Sequence, residues 1–219
     1  DVERSRGLGD VYKRQILSFI PRLYKTCSMI RILSLFASLR FVPHIFVYYH
    51  SRIRHTVLDY ERDMWLSRNR FQKKGIRGFL FLLNMFPEYR SLFYHRTGAH
   101  YLSLFARGQN NLYFHTPSSQ IGKGLVIWHG YSCVVNAQSI GENCQIWHLT
   151  TLGRKDTSLN ENRPIIGNNV SVCTGAIVIG NVHIGDHTII GAGSIVVHST
   201  PPDSIVTGIA AKAKTHSKN

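Results

Sequence analysis

Two histidines in similar surroundings are the residues of this sequence best suited to acid–base chemistry. His129 lies in the segment IWHG, and His148 lies in the segment IWHL, 19 residues further on. Each follows an aliphatic residue by two positions, and Thr174 and Ala192 occupy the corresponding place later in the chain. An imidazole titrates near neutral pH, so it can take a proton from a hydroxyl group. Two histidines in line with two small residues predict a base beside a narrow groove.

The elements that must position these residues are short strands with a repeat of six. Every sixth position carries a β-branched aliphatic residue in one unbroken run, namely Ile166, Val172, Val178, Ile184, Ile190 and Val196. An earlier run slips by one residue after its third member and comprises Ile121, Ile127, Cys133, Ile140, Ile146 and Leu152. A helix has a period of 3.6 and an ordinary strand a period of 2, so neither explains a sustained six.

The repeat predicts a parallel β-helix of about four coils, each built from three hexapeptides. The glycine that often follows the inward aliphatic residue, as at Gly167 and Gly185, is expected to let the backbone bend. One coil plus the one-residue slip accounts for the spacing of His129 and His148, which should stack about 4.8 Å apart. Chance alternation in a β-sandwich is the alternative, and the unbroken register argues against it.

One segment interrupts the repeat, residues 154–164 with the sequence RKDTSLNENRP. Its one large aliphatic residue is Leu159, so we expect the segment to leave the prism as a protruding loop. Long loops on rigid scaffolds often cover active sites. The β-helix domain is expected to occupy residues 113–219.

The N-terminal half is basic and is predicted to be helical. Residues 1–115 carry 19 basic and 7 acidic residues, a net charge of +12, whereas residues 116–219 carry 7 and 5, a net charge of +2. Apolar residues recur at helical spacing in two stretches, first Val57, Tyr60, Met64 and Trp65, then Phe79, Leu82, Leu83 and Phe86. Pro87 is expected to close the second helix, with a third starting over residues 89–94 and a fourth over residues 99–106.

Composition excludes several classes of protein. Hydrophobic residues make up 43% of the chain, which is enough for a buried core and too much for a disordered chain. The four cysteines form no C-x-x-C pair, which excludes a disulfide scaffold and a four-cysteine zinc ribbon and suits a reducing cytoplasm. No metal is expected. No zinc-finger or RNA-binding motif accompanies the positive charge, so no nucleic-acid partner is expected. Binding of an anionic membrane or of phosphorylated ligands would explain the charge equally well.

The first residues of the chain differ from the rest. Residues 1–15 lack hydrophobic periodicity and are predicted to be a non-native leader, with Met29 as a candidate native start. Residues 16–112 are then the basic helical domain. The apolar segment 29–39 fits a helix packed on its own domain, or one that lies on a membrane face.

Three C-terminal segments point to a known family: the loop after LTTLG, the run GNVHIGDHTIIGAGSIV and the closing PPDSIVTGIAAKAK. The helical stretch GFLFLLNMFPEYRSLFYHRTG takes part as well. Over residues 29–214 the chain resembles the serine O-acetyltransferases, and most closely their shorter members. The resemblance implies a left-handed parallel β-helix after an α-helical domain, acetyl-CoA as donor, and O-acetylserine as product. It also implies a homotrimer with active sites between subunits.

The resemblance also implies roles for individual residues. His129 matches the catalytic histidine of the family, and His148 occupies a position where polar groups occur. For His148, substrate contact and plain exposure are equally open. For the acetyl-CoA site, the resemblance implies that the backbone of Gly153 and Arg154 lies beside the thioester. Thr174 and Ala192 are implied to be small residues along the pantetheine arm, and Lys212 a cation near the phosphates.

Departures from the family pattern concern mainly the acceptor. Trp128 stands where the family has an aspartate before the histidine. The stretches FQKKG and LYFHT lack the carboxylates that the family has there. The Arg-His pair of the loop is reduced to Asn162 and Arg163, and Ala210 replaces a proline in the C-terminal motif. An acidic pocket for the ammonium group of serine is therefore largely missing.

These departures leave more than one function open. O-acetylation of serine competes with O-acetylation of a sugar in polysaccharide synthesis, for which Trp128, Tyr131 and Trp147 offer aromatic surface. The candidate acceptor-binding residues are Trp128, His148 and Arg163. A third hypothesis is a catalytically silent β-helix that serves as a scaffold.

Overall fold

A computed structural model of the protein describes residues 39–155 and 162–208. Helices come first and strands follow, and both belong to the compact unit that begins at Pro43. The expected leader, Met29, most of segment 29–39, Ala210 and Lys212 lie outside the described residues. Within the two described ranges, no helix has the length and apolar character needed to cross a bilayer.

The helical layer contains α1 (Val42–His50), α2 (Asp59–Arg68), α3 (Gly75–Met85) and α4 (Pro87–Thr97), with a π-helical turn (Arg54–Leu58) and a 3₁₀ turn (His100–Leu104). The end of α3 agrees with the position of Pro87, and Pro87 itself is the first residue of α4, where its missing N–H costs little. The predicted helix over residues 99–106 is wrong. Gly98 ends α4 in the left-handed conformation, with φ of 68°, and only the 3₁₀ turn follows.

Thirteen short strands follow within the described residues: β1 (Leu112–Phe114), β2 (Val126–Trp128), β3 (Cys133–Val135), β4 (Ser139–Ile140), β5 (Gln145–Trp147), β6 (Thr151–Gly153), β7 (Ile165–Ile166), β8 (Ser171–Val172), β9 (Ile177–Ile179), β10 (His183–Ile184), β11 (Ile189–Ile190), β12 (Ile195–Val196) and β13 (Ile205–Val206). They form three parallel sheets, which we name sheet A (β1-β3-β6-β9-β12), sheet B (β4-β7-β10) and sheet C (β2-β5-β8-β11-β13). Successive strands pass from sheet B to C to A, as the sides of a triangular prism. The predicted left-handed parallel β-helix with an N-terminal helical part is confirmed.

The core of the prism is the predicted column of aliphatic residues. All twelve residues of the two six-residue runs are buried, with at most 5% of their surface exposed. Each coil therefore covers the apolar residues of the next, and burial of such side chains contributes about 1.5–3 kcal/mol each.

The predicted place of Cys133 in this column is wrong. Strand pairing aligns Leu152 with Val135, and Val135 lies 135 − 127 = 8 positions after Ile127. Cys133 is instead the first residue of β3, two positions before Val135, and its Sγ is 3.2 Å from the carbonyl oxygen of Trp147. The side from Ile127 to Val135 thus has two residues more than the usual six, whereas the side from Val135 to Ile140 has one fewer. The first coil is therefore one residue longer than a regular coil of 18, as the pairing of Ile121 with Ile140 shows.

The glycines after the inward residues of sheet B have a different role from the one expected. Gly122, Gly141, Gly167 and Gly185 do not have positive φ, so they are not needed for a bend. A Cβ atom on any of them would lie less than 3 Å from backbone of the next coil. These positions need glycine because successive coils approach each other closely there.

The helical layer is joined to the first coils by buried polar contacts. The indole Nε1 of Trp65 donates to the carbonyl oxygen of Leu125 over 2.9 Å, and the hydroxyl of Tyr60 donates to Oδ1 of Asn143 over 2.8 Å. The almost fully buried guanidinium of Arg96, on α4, pairs with the carboxylate of Glu61 on α2 and donates to the carbonyl oxygens of Ile121 and Gly122 in the first coil. Helices and prism are therefore one packed body beside His129.

Candidate active site at a corner of the prism

The predicted column of His129, His148, Thr174 and Ala192 lies at the corner where sheet C turns into sheet A. The pairings of β2 with β5, β5 with β8 and β8 with β11 bring the four residues into line. The centroids of the two imidazole rings are 5.9 Å apart, and the rings are inclined by 69°. The backbone N–H of Gly175 donates to the carbonyl oxygen of His148 over 3.0 Å, which continues the corner to the next coil.

The turn that holds His129 differs from the corners of the other coils. Three of its residues have positive φ: His129 with 64°, Gly130 with 40° and Ser132 with 51°. At the same corner of the next coil, Leu149 alone has positive φ, at 60°. The left-handed conformation is uncommon for residues with a side chain, so the surroundings must hold it. His129 is exposed at this turn, where a substrate can reach its imidazole.

His148 is half-buried beside His129. Burial is the main cause that lowers the pKa of His148 below its ordinary value, and the charge of His129 lowers it further. The neutral form of His148 is therefore favoured. Within the described ranges its Nδ1 atom is buried and has no hydrogen-bond partner.

A carboxylate that the sequence analysis missed lies against the backbone of His129. Glu88 is the second residue of α4, and only 7% of its surface is exposed. Burial raises the pKa of Glu88, whereas hydrogen bonds from its own backbone N–H and from that of His129 lower it, as does the charge of Arg90. The available signal was the Pro-Glu pair, which is typical of a helix N-terminus. That signal does not tell which distant residue the carboxylate meets.

The two tryptophans that precede the histidines are stacked. The rings of Trp128 and Trp147 have centroids 6.0 Å apart and are inclined by 28°. The indole Nε1 of Trp128 donates to Oε1 of Gln145 over 3.1 Å, and Tyr131 is exposed in the adjoining turn. The aromatic surface predicted from these residues is therefore present next to His129.

The residues expected near the thioester lie at another edge of the prism. Gly153 is the last residue of β6, the middle strand of sheet A, and lies where the chain leaves that sheet. Arg154 follows it and is exposed. Asn162 and Arg163 are half-buried where the chain returns to β7, while residues 156–161 lie outside the described part of the loop. Within one chain, none of these four residues joins the column of His129.

Comparison with known proteins places this chain in a family. No protein-family model matches it. A serine acetyltransferase of Helicobacter pylori is 38% identical over 119 residues, which are 54% of this chain and 68% of that protein. The chain belongs to the serine acetyltransferase family. A serine acetyltransferase of Synechococcus elongatus is 34% identical over 146 residues, which are 61% of this chain and 59% of that longer protein.

Solved serine acetyltransferases have a similar fold. The enzyme of Neisseria gonorrhoeae superimposes with a TM-score of 0.57 at 22% identity, over 99% of this chain and 91% of that one. The soybean enzyme in complex with serine gives a TM-score of 0.54 at 27% identity, over 69% and 67% of the two chains. Within the described part of this serine acetyltransferase family member, no group of three or more His, Cys, Asp or Glu side chains is placed to hold a metal ion.

Proposed function

We propose that the protein is an acetyl-CoA-dependent O-acetyltransferase that converts serine to O-acetylserine. The observation that carries the proposal is the column from His129 through His148 to Thr174 and Ala192, at an exposed corner of the prism. Relatives with the name serine acetyltransferase, and a fold neighbour solved with serine, support serine as the acceptor.

His129 is the general base in this mechanism. Its imidazole takes the proton of the acceptor hydroxyl while the hydroxyl oxygen attacks the thioester carbonyl carbon. Backbone N–H groups are the usual donors to the carbonyl oxygen that becomes negative. Collapse of the tetrahedral adduct breaks the C–S bond, and the imidazolium returns the proton to the departing thiolate. The products are an acetyl ester and the free thiol of CoA.

The pantetheine arm of acetyl-CoA is proposed to lie along Thr174 and Ala192. Thr174 is half-buried and Ala192 is exposed, and their small side chains leave the corner open. Gly153 and Arg154 approach the thioester from a neighbouring subunit in this proposal, because they lie at another edge of their own prism. Lys212 is proposed as the cation near the phosphates.

A homotrimer is part of the proposal. Four aliphatic side chains point outward from the last two coils and are 41–74% exposed, namely Ile189, Ile195, Val197 and Ile205. A neighbouring prism would cover them, and closed symmetry satisfies the same surface on every copy. Light scattering at active concentrations should give about three times the chain mass. A monodisperse monomer would contradict the trimer.

The general-base role is tested by His129→Asn and His129→Ala. The expected result is a loss of about 10²- to 10⁴-fold in kcat, with little change in acetyl-CoA affinity. The matched control is His183→Asn, because His183 is an exposed histidine on β10, in sheet B. If the His129 variants keep wild-type turnover in an intact trimer, the base lies elsewhere and His148 is the next candidate.

O-acetylation of a sugar is the second candidate, and the stacked Trp128 and Trp147 beside His129 favour it. Aromatic faces and hydrogen-bonding groups suit a sugar, whereas the ammonium group of serine prefers carboxylates. Trp128, His148 and Arg163 are the proposed acceptor contacts in either case, Arg163 from the neighbouring subunit.

Release of free thiol from acetyl-CoA, measured against serine, free sugars and sugar nucleotides, decides between the acceptors. Trp128→Asp should raise the serine rate relative to the sugar rate. Absence of thiol release with every acceptor would instead support the scaffold hypothesis.

A cytoplasmic location with peripheral contact to anionic membranes completes the proposal. The net charge of +12 on residues 1–115 supports it, as do Phe46 and Tyr49, which are 63% and 45% exposed on α1 near the exposed Arg52. Sedimentation with anionic vesicles should show binding at low salt that weakens at high salt, and Phe46→Ser should weaken it further. Lack of binding at low salt would contradict this part of the proposal.

A further inference from the structure

The turn that carries His129 packs directly against the helical layer. Gly130 is buried, and a Cβ atom there would lie 3.1 Å from Cγ of Gln109 and 3.2 Å from Cβ of Glu88. The backbone N–H of Gln109 donates in turn to the carbonyl oxygen of Pro87 over 3.1 Å. The start of α4 and the segment around Gln109 therefore form one surface beneath the turn.

The carboxylate of Glu88 joins this surface to the backbone of His129. Hydrogen bonding from its own N–H, in the first turn of α4, and from the N–H of His129 lowers the pKa of this carboxylate, so the carboxylate faces both groups. The first N–H groups of a helix have no partner within the helix and favour a negative charge nearby. One buried carboxylate thus lies near both a helix N-terminus and His129, which is in the left-handed conformation with φ of 64°.

We propose that Glu88 is a positioning residue for His129, which holds its backbone in the left-handed conformation and so aims the imidazole at the acceptor hydroxyl. The inference rests on the proposed function, in which His129 is the general base. The helical layer then has a role in the reaction, since its residue Glu88 orients the turn that carries His129. Glu88 acts through the backbone N–H of His129.

The charges around Glu88 make its hydrogen bond sensitive to pH. Burial raises the pKa of Glu88, and the opposing contributions come from the two N–H groups and from Arg90 on the same helix. The titratable side chains at the facing corner are His129 and, in the next coil, His148. Protonation of Glu88 weakens the hydrogen bond from His129, and it occurs at a higher pH than for an ordinary glutamate.

Kinetics of Glu88→Ala, Glu88→Gln and Glu61→Gln test the inference. Misplacing a catalytic group by about 1 Å costs about 10²-fold. Glu88→Ala should therefore lower kcat about 10- to 100-fold, with the KM for acetyl-CoA changed less than about twofold. Glu88→Gln keeps an oxygen acceptor and should recover kcat to within about threefold of the wild type. Glu61→Gln, a buried carboxylate of the same layer, should lower stability and leave kcat unchanged.

A second measurement does not depend on activity. In ¹H–¹⁵N spectra of the substrate-free protein, the backbone amide of His129 should titrate together with Glu88, at a pH above the ordinary glutamate range. This titration should vanish in Glu88→Gln, and protection of the amide from solvent exchange should be lost in Glu88→Ala. If the His129 amide is unchanged in both variants, or if Glu88→Ala keeps wild-type kcat, the positioning role is refuted. An inactive wild type with the expected amide titration would instead refute the proposed function.

Discussion

Removal of the Arg96 guanidinium is expected to loosen the helical layer from the prism. Nη2 of Arg96 lies 2.5 Å from Oε1 of Glu61, and the two side chains are only 2% and 3% exposed. The guanidinium also donates to three backbone carbonyl oxygens of the first coil, over 2.6–2.9 Å, those of Ser118, Ile121 and Gly122. Arg96 therefore carries both an ion pair and most of the polar contact between α4 and the prism at this place.

The expected cost of Arg96→Met follows from this geometry. Methionine fills part of the volume but leaves the carboxylate of Glu61 buried without its cation, which costs about 3–5 kcal/mol of unfolding free energy. The three carbonyl groups lose their donors as well, so we expect the upper end of this range. Burial already raises the pKa of Glu61, and Arg96 is the main influence that opposes this shift. Without Arg96 the folded protein binds a proton more tightly at Glu61, so stability is lost as pH rises above the unfolded pKa.

Urea unfolding of the wild type and Arg96→Met at equal protein concentration measures the cost. The difference should be larger at pH 8 than at pH 5, because Glu61 is protonated more readily at the lower pH. The double variant Arg96→Met with Glu61→Leu should recover at least half of the loss, since it leaves no unpaired buried charge. Arg77→Met, at an exposed position of α3, should change stability by less than about 0.5 kcal/mol. A cost below about 1 kcal/mol for Arg96→Met would refute the reasoning.

Three further predictions concern the prism. Ala192→Trp should raise the KM for acetyl-CoA and leave kcat nearly unchanged, because the indole fills the proposed pantetheine groove; equal KM values in steady-state kinetics would contradict that groove. Gly167→Ala should cost about 1–3 kcal/mol in urea unfolding, because its Cβ would lie 2.8 Å from the carbonyl oxygen of Ile184, whereas Gly153→Ala, with its nearest contact at 3.7 Å, should cost far less. His148 has a lowered pKa, so the folded state resists its protonation and stability should fall as pH drops below about 6.5. His148→Gln should reduce the difference between the Tm values at pH 7.5 and pH 5.5, and an unchanged difference would contradict the assignment.

Much of the prism could be predicted from the sequence because its repeat is local. Each inward aliphatic residue, such as Val172 or Ile190, is followed by a short turn and the next inward residue, so the period alone shows which side chains are buried. The same register placed His129 and His148 at one corner, and their rings do lie next to each other. The six-residue repeat does not show at which corner of the prism additional residues are inserted. The corner after His129 takes up two of them, which puts Val135 where the repeat predicted Cys133.

The remaining features depended on contacts between distant parts of the chain. Gly141 suggests a bend when the sequence is considered alone, but its real constraint is the backbone of Gly167, 26 positions away, which leaves no room for a Cβ atom. Glu88 suggests only a helix N-terminus, and its contact with the N–H of His129 exists because α4 packs on the first coil. The sequence by itself determined the repeat, the buried column and the alignment of the two histidines, since hydrophobic burial in short strands acts residue by residue. Only the tertiary structure decided which carboxylate meets His129 and which glycines cannot be replaced, because those depend on the approach of groups that are close in space and far apart in the chain.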